Sequence, residues 1–364
     1  MKCKQVISIA VKVFKTVGTA VGIYALFAFA QPVRAALTAR KLDDGLYYIE
    51  YHGNDGFGRL MKNGGIKNPE DLSRYITLFL SKGFSRAPKT STAAHDYGCS
   101  TLTASTEDGR FLMGRNFDYP SATGMILHEY PRHGYESVST FNVEFYGFGE
   151  GWKPEGFKNG YLSLSGLFFA LDGINEKGLA VADLMAGDDV ETHQDTGKPA
   201  LTTTSALRYI LNKAATVEEA LGILRNIDMN SDIGSAHHYA IADASGRSVV
   251  VEYVNDRMTV IETPAVANHY LCPEKKDVGL AGWDHRYEML CHEYEKNGGV
   301  MEEGMLLDAI RNASQPPHGK EFLGTAWTML MDLTNPSVTY YSKRHFDTPF
   351  HFELSCRKIK TDNQ

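Results

Sequence analysis

The stretch from Gly98 to Asp118 constrains this chain more than any other. It reads Gly-Cys-Ser-Thr-Leu-Thr-Ala-Ser-Thr-Glu-Asp-Gly-Arg-Phe-Leu-Met-Gly-Arg-Asn-Phe-Asp. Small polar and apolar residues alternate from Ser100 to Ser105, the period-2 pattern of a half-buried strand. Glu107-Asp108-Gly109 is a turn, and Arg110 to Met113 returns as a second strand, so the stretch predicts a β-hairpin. A hairpin brings the end of its second strand beside the start of its first, which places Arg115 and Asp118 close to Cys99. A thiol beside a guanidinium is a nucleophile in waiting, because nearby positive charge favours the thiolate. Hairpin geometry alone leaves a plainer reading open. A lone Cys in a strand is ordinarily a small buried hydrophobe, and an Arg-Asn-x-Asp run is ordinarily a turn with an ion pair.

The chain has 364 residues, 43% of them hydrophobic, enough for a large core. Its formal net charge is −7 and it has no Lys/Arg run, which argues against nucleic acid as a partner. The cysteines are Cys3, Cys99, Cys272, Cys291 and Cys356, with no CxxC pair and no zinc-type Cys/His spacing. His237 and His238 are adjacent, and on a strand adjacent side chains point to opposite faces, so they make poor joint ligands. No metal and no cofactor are expected.

Residues 1–36 read as a targeting segment. Lys2, Lys4, Lys12 and Lys15 precede an apolar run from Thr16 to Ala30, and Val33-Arg34-Ala35 fits a small-residue cleavage site. The apolar run is 15 residues, shorter than the roughly 20 needed to span a bilayer. The expectation is an exported protein, periplasmic or extracellular, cleaved near Ala35. Membrane association would come only through an uncleaved N-terminal segment.

Further along, Leu46–Tyr51 predicts a strand and Pro69–Leu80 an amphipathic helix with Pro at an early position. Lys82 to Asp96 loses periodicity and reads as an exposed linker. Ser139–Tyr146 alternates like a strand. Leu167–Met185 predicts strand, turn and strand around Asn175-Glu-Lys-Gly. Thr203–Ala215 is helical, and Thr216-Val-Glu-Glu219 starts the next helix as a capping box. His238–Ala242, Ser248–Val254 and Met258–Ile261 form a meander. Asp284–Asn297 and Met301–Ala313 are helices, the first with Cys291 on its core stripe. A last hairpin runs from Thr325 to Tyr341. Strand blocks separated by helix pairs predict an α+β layered fold.

Cys99-Ser-Thr followed by Gly114-Arg-Asn-Phe-Asp-Tyr resembles the start of the mature chain in the choloylglycine hydrolase family, which includes bile salt hydrolases and penicillin V acylases. It is similar also to acid ceramidase and N-acylethanolamine acid amidase. Asn175-Glu-Lys-Gly-Leu, the meander from Ser235, Val266-Ala-Asn-His269, Asp284-His-Arg-Tyr and the closing hairpin match the family in order, covering about residues 98 to 345. The resemblance implies a four-layer αββα sandwich of the N-terminal-nucleophile hydrolase type. It divides the chain into a signal peptide (1–36), a propeptide or N-terminal segment (37–98) and an amidase domain (99–364).

The resemblance also implies a mechanism. The peptide bond before Cys99 is cut autocatalytically, and the freed α-amine becomes the general base for the thiol. An α-amine near pKa 8 and a thiol near 8.5 exchange a proton readily at neutral pH. Asp118 would orient the amine, Arg115 would lower the pKa of the thiol, and Arg286 would hold the network. Asn268 would donate its side-chain N–H to the oxyanion, worth roughly 3–4 kcal/mol in comparable sites. One position departs from the pattern: where bile salt hydrolases carry an Asn after the Asn-Glu-Lys-Gly-Leu strand, this chain has Met185. The expected activity is hydrolysis, through an acyl-thioester, of a linear non-peptide amide in an N-acylated small molecule. Bile salts, N-acylethanolamines, N-acyl homoserine lactones and phenoxyacyl β-lactams are all open as substrates. An acyltransferase with the same nucleophile and a non-catalytic exported binding protein of the same fold are the alternatives. Relatives often form dimers or tetramers, so a homo-oligomer is open as well.

Overall fold

In the computed structural model the described residues are 29–82, 98–119, 122–146, 151–188, 190–232, 234–276, 278, 284–317 and 324–355. Most of the expected signal segment (1–28) and of the linker (83–97) lie outside them. Among the described residues no helix is long and apolar enough to cross a membrane.

Two antiparallel-rich sheets face each other. The larger has nine strands, in the order Arg40–Asp43, Leu46–Gly53, Gly124–Pro131, Ser137–Asn142, Asp172–Asn175, Ala180–Met185, His237–Ala242, Ser248–Val254 and Arg257–Glu262. The smaller has six: Ala265–Val266, Gly98–Ser105, Phe111–Asp118, Thr325–Asp332, Ser337–Ser342 and Phe350–Glu353. Each sheet has two apolar faces, and three separate clusters cover them. Ile126, Val138, Ala182, Phe117, Met329 and Tyr340 fill the space between the sheets. Tyr47, Val181, Tyr239, Leu207, Leu221 and Leu72 seal the outer face of the large sheet under helices Pro69–Ser81, Thr203–Lys213 and Val217–Arg225. Leu102, Leu112, Leu290 and Ile310 do the same for the small sheet under Asp284–Lys296 and Glu303–Ala313. Helix, sheet, sheet and helix stack as an αββα sandwich, the α+β architecture expected.

The hairpin forms as its alternation requires, with Gly98 opposite Asp118, Cys99 opposite Phe117 and Thr101 opposite Arg115. Gly114 lies against Ile310, where a Cβ would meet the isoleucine at 2.4 Å. The Asn175-Glu-Lys-Gly turn closes at Gly178, whose φ of +77° suits glycine and whose Cβ position would strike the Leu333 carbonyl at 1.8 Å. Thr216 caps its helix by accepting from the Glu219 N–H at 3.2 Å.

Some expectations shift. Val143–Tyr146 is a 3₁₀ turn rather than the end of a strand, and Ser163–Phe168 is likewise 3₁₀ before the strand at Asp172. Phe350–Glu353 adds an edge strand that no period-2 run announced. Residues 29–36 are helical, and Ala35 and Ala36 are buried. The segment before Cys99 is woven into the fold: Leu46–Gly53 pairs in parallel with Gly124–Pro131 along its whole length.

Candidate active site

Alternation along the hairpin splits the site between two faces of the small sheet. Cys99, Arg115 and Phe117 point between the sheets, whereas Asp118 and Asn116 point towards the helices. The end of the hairpin is where both faces can be reached together. Cys99, Arg115, Asp118, Asn268 and Arg286 all converge there, and each is essentially fully buried.

The Arg115 guanidinium lies against the Cys99 thiol. Its Nε donates to Asp172 Oδ2 at 2.7 Å, and its terminal nitrogens donate to the carbonyls of Asn116 at 2.5 Å and Asp183 at 2.9 Å. Trp327 Nε1 donates to the same Asp172 oxygen at 2.9 Å, which fixes the carboxylate that aims the arginine. Asp118 accepts from Arg286 Nη1 at 2.8 Å and from the Thr325 hydroxyl at 2.5 Å. Arg286, brought in by the helix Asp284–Lys296, also donates through Nη2 to Asn268 Oδ1 at 2.7 Å.

Asn268 is the hub. Its Oδ1 accepts the backbone N–H of Cys99 at 2.6 Å as well as the Arg286 donor, and its Nδ2 donates to the Met185 carbonyl at 2.8 Å. Two donors on one oxygen fix which end of the amide is which. One of the two Nδ2 hydrogens is thereby engaged by Met185. The same side chain holds the nitrogen of the peptide bond that joins Gly98 to Cys99.

Burial dominates the electrostatics. It pushes the Cys99 thiol up to about 11, and the adjacent Arg115 opposes this only in part. Arg115 does work to lower the thiol, in the direction expected of it, and burial of the sulfur outweighs that pull. Burial also raises the Asp118 and Asp172 carboxyls, against the pull of Arg286 and Arg115 respectively. Among the described residues no group of three or more His, Cys, Asp or Glu is arranged to hold a metal. His237 and His238 do face apart: His237 Nδ1 lies 3.0 Å from both Asp183 oxygens, and His238 Nδ1 lies 3.2 Å from Glu252 Oε1. Cys291 packs with the helix-side cluster of the small sheet, as its stripe implied.

Sequence reading missed Asp172, Asp183, Thr325 and Trp327. Asp172 lies 57 positions from Arg115, and no local pattern joins them. Asp172 directly follows the apolar run Leu167–Leu171, and a carboxylate at the end of such a run is the one signal that could have flagged it.

Residues 99–269 match the family described as linear amide C–N hydrolases, choloylglycine hydrolase family. A bile salt hydrolase/transferase from Clostridium perfringens is 28% identical over 182 residues, covering 45% of this chain and 50% of that protein. A penicillin V acylase from Pectobacterium atrosepticum is 28% identical over 243 residues, covering 53% of this chain and 64% of that protein. The chain thus spans between half and two thirds of the length of these curated relatives. The crystal structure of a mutant conjugated bile acid hydrolase from Clostridium perfringens superposes with a TM-score of 0.52 at 17% identity, covering 70% of this chain and 92% of that one. That likeness is one of fold.

Proposed function

We propose, from the match of residues 99–269 to the family described as linear amide C–N hydrolases, choloylglycine hydrolase family, that this chain is a cysteine N-terminal-nucleophile amidohydrolase. It cuts itself between Gly98 and Cys99 and then cleaves a linear, non-peptide amide of an N-acylated small molecule. The observation that carries this reading is the 2.6 Å bond from the Cys99 backbone N–H to Asn268 Oδ1, within a network that ends on Asp118. A buried thiol needs no such grip on its own main-chain nitrogen. A nitrogen that must leave as an amine and then act as a base does.

Self-cleavage runs in two steps. Cys99 Sγ adds to the Gly98 carbonyl carbon as its proton leaves. The C–N bond breaks, the nitrogen takes up a proton, and a Gly98 thioester remains. Water hydrolyses it to a Gly98 carboxylate and restores the thiol. Gly98 suits the strained geometry this addition requires. The same chemistry then serves the substrate. The α-amine takes the thiol proton, the thiolate adds to the acyl carbon, and the protonated amine product departs. Water resolves the acyl-thioester. Asn268 and Arg286 keep the amine in register, Asp118 balances Arg286, and Arg115 meets the charge on sulfur. The oxyanion donor is then a main-chain N–H or a rearranged Asn268 amide.

Strand 46–53 contributes core residues on both of its faces, Tyr47 and Ile49 on one and Leu46 and Tyr48 on the other. Removing it would open the large sheet, so the segment before Cys99 stays bound after the cut and the mature enzyme has two chains. Export rests on the Lys-flanked apolar N-terminus. The acyl group stays open between bile salts and phenoxyacyl β-lactams, which the names of the relatives suggest, and other N-acyl amides. Transfer of the acyl group to an added amine is a second reading, since one relative is named a hydrolase/transferase.

The test is the intact mass and N-terminal sequence of the purified chain beside Cys99→Ala. Wild type should yield a chain beginning at Cys99 that co-purifies with the preceding segment, and should release acid and amine from at least one N-acyl amide in a panel. The variant should stay whole and inactive. An uncut wild type that turns nothing over would refute the reading in favour of a binding protein. New amide formed from an added amine would mark a transferase.

A further inference from the structure

A second buried charge pair sits behind the nucleophile. Asp183 and His237 are on adjacent strands, with Asp183 opposite Tyr239 and Met185 opposite His237. They are diagonal neighbours on one face, and His237 Nδ1 reaches both carboxylate oxygens at 3.0 Å with both side chains buried. Asp183 turns its side chain away from the thiol, but its carbonyl holds Arg115, and two residues on the Met185 carbonyl holds Asn268. One strand end thus anchors two of the residues that converge on Cys99.

We propose that the Asp183–His237 pair is a positioning element for Cys99, which pins the strand end that anchors Arg115 and Asn268 and sets, through the charge on His237, how readily the thiol ionises. The groups facing His237 come from every element around it. Asp183 faces it from the neighbouring strand, Asp232 and Ser235 from the segment before its own strand, and Glu191 from the segment after the Asp183 strand. Thr204, on the helix above, donates to Asp232 Oδ2 at 2.6 Å. Burial works to lower the His237 pKa, but the Asp183 carboxylate, with lesser help from Asp232 and Glu191, outweighs it and the pKa is raised. The Asp183 charge works the other way on sulfur, making the Cys99 thiolate costlier. The signs follow. Below its raised pKa the imidazolium offsets the carboxylate. As pH rises through that value the offset is lost, and the thiol becomes harder to ionise.

The test reads the thiol itself and needs no amide to be hydrolysed, so it stands or falls separately from the proposed activity. Methyl methanethiosulfonate labelling of Cys99 in the protein as purified, cut or uncut, is followed by mass spectrometry of its peptide across pH. Wild type should show a break in the logarithm of the rate where His237 titrates. His237→Gln keeps a hydrogen-bonding side chain without the charge. It should label about threefold more slowly below the break, merge with wild type above it and show no break, as expected for a charge acting at second-neighbour range. Asp183→Asn with His237→Gln should return to within about 1.5-fold of wild type at low pH. A His237→Gln profile parallel to wild type at every pH would overturn the proposal, leaving the pair a packing feature only. If His237→Gln does not fold, Asp183→Asn decides: faster labelling sustains the proposal, and an unchanged rate overturns it.

Discussion

Two fully buried arginines lie on opposite sides of the large sheet, and they differ in what they hold. Arg208, on the outer helix, spends its terminal nitrogens on four side chains: Glu129, Ser137, Ser139 and Asn212. Its ion pair is with Glu129, itself fully buried. Arg115, between the sheets, has one carboxylate partner in Asp172. Its other bonds go to main-chain carbonyls, and its charge bears on a thiol. A buried charge whose terminal nitrogens are met by side chains ties a helix to a sheet. A buried charge aimed by backbone and left facing a reactive atom is an instrument of chemistry.

Exchanging the damage sharpens this contrast most. Arg208→Met leaves Glu129 buried without its partner and should cost about 3–5 kcal/mol of stability, read as a fall in thermal midpoint. The chain that does fold should still cut itself at close to the normal rate. Arg115→Gln should slow self-cleavage about 100-fold or more, read by the rate at which the Cys99 N-terminus appears. Equal loss of cleavage in both would erase the distinction.

Acid–base behaviour gives a second handle. Burial, opposed by Arg208, pushes Glu129 up to about 7. A carboxyl with a raised folded pKa adds stability while it is protonated and loses that contribution as pH rises from about 4.5 to 7. The thermal gap between wild type and Glu129→Gln should therefore narrow between pH 5 and pH 8, by up to about 3 kcal/mol. A gap that widens would mean the ionised pair is the stabilising form.

Smaller effects test the edges of each region. Thr325→Val removes the hydroxyl that orients Asp118 and should slow self-cleavage about tenfold, with little change in melting. Asp55, in the segment before the nucleophile, accepts from Lys213 at 3.0 Å beside the Arg208 network. Asp55→Ala should weaken retention of the cut segment by about 1 kcal/mol or less, seen as its earlier loss in a urea series.

Much of this was legible in the chain because it is local. Cys99, Arg115 and Asp118 fall within one hairpin, and a two-residue period with a Gly turn sets their proximity without help from elsewhere. The Asn175–Gly178 turn, the capped helix after Thr216 and the meander are local in the same sense. Asn268 and Arg286 were found through resemblance alone, and only the structure shows their contacts, Arg286 with Asp118 and Asn268, and Asn268 with the Cys99 nitrogen. Asn268 Oδ1 accepts both from the Cys99 nitrogen and from Arg286 of helix Asp284–Lys296, a meeting that no spacing encodes.

Local pattern was enough for most of the strands, for the turn chemistry and for a thiol with a guanidinium and a carboxylate at one hairpin end. Only the tertiary structure decided that the segment before Cys99 is part of the large sheet, that Asp172, Trp327 and Thr325 aim the site, and that Asp183 and His237 stand behind it. The reason is physical. Local pattern follows from backbone periodicity over a few residues, whereas burial of charge is settled between side chains 54 to 207 positions apart, as for His237 with Asp183 and Thr325 with Asp118. Such pairs are chosen by what the packed layers exclude from water.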